Sequence, residues 1–137
     1  MLAKRLFIGL LLFTFFACQT EVPNEITLTL QVDNPDPETE YAIRLSSSFS
    51  AEPVVKFKLS EEINSHTVTI PFNESKMFSI SGGFYKSIYA EPGDELVIEV
   101  STNEEGENVF AYKGSAALHQ QLIDDFAKMT SEFREAH

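Results

Sequence analysis

The chain has 137 residues, enough for one domain with a real core but hardly for two once any leader is set aside. Ten Lys and Arg against 21 Asp and Glu give a formal charge of −11, and no basic stripe interrupts the acidity, which argues against nucleic acid as a partner. One cysteine excludes an intrachain disulfide, a CxxC redox pair and a cysteine-rich zinc site.

The first seventeen residues read as a leader. Lys4 and Arg5 form a positive segment, and the uncharged run from Leu6 to Ala17 follows it. Twelve residues are too few for a bilayer-spanning helix, which needs roughly 20, and suit a signal sequence. Phe15-Phe16-Ala17-Cys18 matches a bacterial lipobox at Ala17 and at the cysteine, while Phe16 departs from the small residue usual before them. Phe15 is too bulky for the pocket of the ordinary signal peptidase. The expectation is therefore a lipoprotein signal over 1–17, with Cys18 acylated and holding the chain to membrane lipid. Stable attachment takes at least two acyl chains. Loss of Lys4 and Arg5 with the leader takes the charge from −11 to −13. Gln19 is not the Asp that marks inner-membrane retention in some bacteria, which favours the outer membrane of the cell envelope.

Residues 18–24 are short, polar and proline-containing, a tether. From there to residue 113 the pattern is that of short strands. Ile26 to Val32 alternates apolar and polar residues with period two, and Asp33-Asn34-Pro35-Asp36-Pro37 breaks it. Further strands are expected at Tyr41–Leu45, Val54–Leu59, His66–Phe72, Met77–Ile80, Gly83–Tyr89, Glu95–Val100 and Val109–Tyr112, with a loop over 46–53. Glu91-Pro92-Gly93-Asp94 predicts a type II turn, Pro92 setting φ and Gly93 supplying the positive φ. Asn103 to Asn108 is a second turn. Seven or eight short strands divided by turns predict an antiparallel β-sandwich over 25–113.

After Gly114 the period changes. Leu118, Leu122, Phe126, Met129 and Phe133 recur at steps of four and three, predicting a C-terminal α-helix over 114–137 with one apolar face. Ser115 is placed to cap it. Gln120, Gln121, Asp124, Asp125, Lys128 and Glu132 form the opposite face, expected to lie in water. The apolar stripe is expected to pack on the sandwich or on a following domain. No stop signal follows Phe133, so the helix reads as leading into a missing domain.

Chemistry-bearing residues form no catalytic pattern. His66, His119 and His137 lack metal-ligand spacing, and all three read as surface or core-edge residues. Asp94, Glu95, Glu99, Glu104, Glu105 and Glu107 lack the loop spacing that brings several oxygens onto one calcium. No GxSxG elbow occurs, Gly82-Gly83 is too short to cradle phosphate, and Asn73-Glu74-Ser75 is a three-residue match to a glycosylation sequon. No catalytic residue, metal or cofactor is expected. Tyr85, Tyr89 and Tyr112 are the surface aromatics that would take a peptide or glycan.

Two stretches together, Tyr89-Ala90-Glu91-Pro92-Gly93-Asp94-Glu95-Leu96-Val97-Ile98 and Phe110 to Leu122 (FAYKGSAALHQQL), resemble the N-terminal accessory domain of thioredoxin-like thiol-disulfide oxidoreductase lipoproteins. In that family a PGD turn between strands precedes an F-x-G-x-x-A-x-x-N-x-x-L segment, and His119 or Gln120 stands where the family shows Asn. The resemblance implies a lipoprotein signal, a sandwich, a helix and then a catalytic thioredoxin domain with CxxC. That last domain is absent here, so the implied role is a non-catalytic spacer or interaction domain, the accessory part of a truncated product. The alternative is a stand-alone envelope protein that binds a peptide or glycan on the sandwich surface.

Overall fold

A computed structural model describes residues 21, 23–45, 52–71 and 76–136. The leader, Cys18, most of the tether, residues 46–51, Phe72, the sequon and His137 lie outside the described residues. Eight strands are present: β1 (Glu25–Val32), β2 (Glu40–Leu45), β3 (Val55–Lys58), β4 (Ser65–Pro71), β5 (Lys76–Ser81), β6 (Tyr85–Ala90), β7 (Glu95–Thr102) and β8 (Asn108–Lys113). One helix, α1 (Ala117–Glu135), follows them.

The strands form two four-stranded sheets, β4-β1-β7-β8 and β3-β2-β5-β6, so the fold is the expected β-sandwich with a C-terminal helix. Alternation sets which face is buried. Ile26, Leu28, Leu30 and Val32 of β1, with Leu96, Ile98 and Val100 of β7, point inward from the first sheet. Tyr41 and Ile43 of β2, Phe78 and Ile80 of β5, and Ile88 and Ala90 of β6 meet them from the second. Each fully buried Leu, Ile or Phe contributes about 1.5–3 kcal/mol relative to exposure, so this layer dominates the stability of the domain.

Pairing differs from the expectation in one respect, because β1 runs parallel to β7, with Thr27 opposite Glu95 and Val32 opposite Val100. All other neighbours are antiparallel. The Glu91–Asp94 turn is likewise a corner and not a hairpin, since it carries the chain from β6 at the edge of one sheet to β7 inside the other. Its local chemistry is as expected: Asp94 N–H donates to the Glu91 carbonyl at 3.0 Å, and Gly93 has φ +89°. The Gly93 N–H also donates to the Glu25 carbonyl at 2.8 Å, which fixes the corner against the start of β1.

At one margin of the sandwich, between β3 and β4, Phe57 stacks on His66 with centroids 4.4 Å apart. His66 therefore sits at the core edge, one of the two placements expected for the histidines. At the other margin, between β6 and β8, Phe84 meets Phe110 edge to face at 5.3 Å, and α1 lies across the gap, contacting both strands.

Candidate functional site

The margin under α1 is polar, although it lies between two core-facing strand faces. Lys86 shares the inward phase of β6 with Ile88 and Ala90, and Phe110 and Tyr112 share that of β8. An inward lysine at a sheet edge needs partners. Its ammonium lies 4.4 Å from the Phe110 ring centroid and 5.8 Å from that of Tyr112, within cation–π range. It also donates to Asp124 of α1 at 2.6 Å, with only 17% and 21% of the two side chains exposed. The Tyr112 hydroxyl donates to the same carboxylate oxygen. Burial first, then the hydrogen bond to Asp124 and its charge, push the Tyr112 phenol far above its ordinary value near 10.

Gln120 completes this anchor. It is fully buried, its carboxamide nitrogen donating to the Ser87 carbonyl at 2.9 Å and its oxygen accepting from the Tyr89 N–H at 3.3 Å. Ser87 and Tyr89 belong to the edge strand β6, so one side chain satisfies backbone groups that an additional strand would otherwise take. The same carboxamide nitrogen reaches Asp124 at 3.3 Å. No enclosed side-chain polar atom among the described residues lacks a partner, so the network is complete.

This arrangement overturns the expected orientation of the helix. Gln120 and Asp124, expected in water, face the sandwich, while Leu118, Leu122, Phe126, Met129 and Phe133 are between 58% and 70% exposed. The reason lies in the margin: the sheet edge offers Lys86, Tyr112 and two open backbone groups, which a carboxamide and a carboxylate satisfy and leucine cannot. Ala116, buried at the head of the helix, adds an apolar contact there.

The helix is held at its start by a second contact, and here the two stretches that carry the family resemblance meet. Gly114 has φ +98°, and a Cβ there would lie 2.2 Å from the Glu95 carbonyl oxygen, so only glycine lets the chain turn this close to β7. Ala116 N–H then donates to that oxygen at 3.2 Å. Ser115 was expected to cap α1; instead its hydroxyl oxygen accepts from Glu95 N–H at 2.9 Å and its proton goes to Asp94 at 3.3 Å. The helix has no side-chain cap, and it begins at Ala117.

The three tyrosines separate. Tyr85 and Tyr89 project from the outer side of β6, Tyr85 being exposed and Tyr89 donating to Glu91 at 3.1 Å. Tyr112 faces inward and belongs to the anchor. His119 is exposed on α1, and among the described residues no group of three His, Cys, Asp or Glu side chains is placed to hold a metal. Of the acids near the turns, Asp94 accepts from Glu91 N–H at 2.8 Å and Glu99 pairs with Lys113 at 2.6 Å. Among the described residues no helix is long and apolar enough to cross a membrane. Compared with models of known protein families and with curated proteins, the chain matches none.

Proposed function

We propose that this chain is a non-catalytic lipoprotein of a bacterial cell envelope, an interaction and spacer module of the kind its sequence resembles, held to the membrane through acylated Cys18. The observation that supports this reading is the outward apolar face of α1. Monomeric proteins rarely expose a contiguous row of large apolar side chains, and such rows mark contact surfaces. A helix that presents anchors at Leu118, Leu122, Phe126 and Met129 suits a hydrophobic groove on a partner.

Charge selects the occupant. Asp125 and Glu132 run along one margin of the row, three residues after Leu122 and Met129 respectively, in a chain of net charge −11. An anionic lipid surface is repelled by this margin. A second copy packed antiparallel sets the same acids against each other. The partner that fits is a folded protein domain with an apolar patch rimmed by Lys or Arg.

Two measurements test the reading. Mass spectrometry of the mature N-terminus is expected to find an acylated Cys18; an intact Met1 or an unmodified cysteine contradicts the anchor. A photo-crosslinking residue at Met129, in cells that make the protein, is expected to capture one protein whose contact patch is basic-rimmed. Capture of lipid, of a second copy, or of nothing contradicts the docking role. A second reading, a stand-alone binding protein that takes a peptide or glycan on the sandwich surface, draws on the exposed ring of Tyr85.

A further inference from the structure

The outer face of the β3-β2-β5-β6 sheet carries a group of side chains with no part in the core or in the anchor of α1. Tyr41 and Ile43 of β2 point inward, so Ala42 and Arg44 point outward; Phe78 and Ile80 of β5 leave Ser79 and Ser81 outward. Cross-strand register then forms two adjacent rows. Arg44 lies opposite Ser79, which lies opposite Ser87; Ala42 lies opposite Ser81, which lies opposite Tyr85. The floor is therefore small and hydroxylated, with Tyr85 and Tyr89 standing along one side and Arg44 on the other.

Two features set this patch apart from an ordinary solvated sheet face. The strand lysines whose side chains are described, Lys56, Lys58, Lys86 and Lys113, each meet a carboxylate, whereas among the described residues Arg44 meets none and donates to the Ser81 hydroxyl at 2.9 Å. A partly buried guanidinium without an acid, in a chain with twice as many acids as bases, leaves a planar fork of donors unspent. Secondly, Ser79 is only 7% exposed, yet among the described residues no hydrogen bond holds its hydroxyl. Enclosed polar atoms among the described residues all have partners, so this hydroxyl is open to the outer face of the sheet. Both groups face the same space.

We propose that this patch binds a short saccharide bearing a carboxylate. Arg44 would take the carboxylate in its fork, the Ser79 and Ser87 hydroxyls would hydrogen-bond ring hydroxyls, and Tyr85 would cover an apolar sugar face. Tyr85 and Tyr89 are four residues apart on one strand face, a span of about 13 Å, which accommodates two sugar rings. α1 holds the edge of β6 through the backbone of Ser87 and Tyr89, whereas the patch uses their outward side chains, and the inference deepens the second reading without depending on the docking role of the helix.

The test uses the full chain in detergent, isotopically labelled, with digalacturonate as the acidic probe and lactose as its neutral counterpart. Digalacturonate is expected to shift the amide resonances of Arg44, Ser79 and Ser87, and lactose to bind at least about ten-fold more weakly. Arg44→Gln is expected to abolish the preference for the acidic sugar, and Arg44→Lys to restore part of it. Tyr85→Ala, at a 63% exposed position, keeps the fold and is expected to weaken binding several-fold, so the proposal stays testable if Arg44→Gln fails to fold. No shifts at millimolar digalacturonate, equal binding of lactose, or undiminished binding by Tyr85→Ala would overturn it.

Discussion

Gln120 does with one side chain what a neighbouring strand does with several backbone groups. Its carboxamide both donates and accepts, matching the open Ser87 carbonyl and Tyr89 N–H of an edge strand. Gln120→Ala removes three hydrogen bonds and leaves both backbone groups enclosed under the helix. The expected loss of stability is about 2 kcal/mol, read as a lower urea midpoint with unchanged slope. Gln120→Glu is expected to cost more, because a carboxylate cannot donate to Ser87 and adds a negative charge beside Asp124. Nothing in the helical periodicity distinguishes Gln120 from Gln121, which points to water and bonds Asp125 instead. The signal that was available is Lys86: its position in phase with Ile88 and Ala90 puts a cation on a core-facing side, and that cation requires an acid from another element.

At the scale of elements, alternation in β1 and short strand-forming runs between turn residues located the eight strands, and the Pro-Gly pair located the corner, because all are written in neighbouring residues. What each strand pairs with is not local. The parallel β1–β7 pair joins residues some seventy positions apart, and no turn residue encodes it. The orientation of α1 escaped for a related reason, since an amphipathic helix has two faces and only the surface it lands on decides which is buried. The polar docking of this element has a pH signature. Below about pH 10 Tyr112 is protonated in both folded and unfolded chains, and its contribution is complete. Above that the unfolded chain releases the proton while the folded chain keeps it, so stability falls as pH rises. Tyr112→Phe removes this contribution, and its urea midpoint is expected to decline less than that of the wild type between about pH 9 and 11. Tyr41, raised by burial and then by Asp36, leaves a residual decline in both proteins. Equal slopes in the two proteins would contradict an enclosed Tyr112.

For the molecule as a whole, the sandwich supplies its own core and α1 adds a surface. The interior between the sheets is closed by Ile, Leu, Val and Phe side chains from all eight strands and the loops between them, and none of the apolar row of α1 belongs to it. The acidic surface keeps such a molecule dispersed despite the exposed row. The most direct test of this division is thermal and urea unfolding of the double variant Leu122→Glu/Phe126→Glu. If the row is a surface, the midpoint stays within about 0.5 kcal/mol of wild type while crosslinking to the partner is lost. If the row is core, two carboxylates in place of buried leucine and phenylalanine cost several kcal/mol, and an unfolded or strongly destabilised variant would contradict the account.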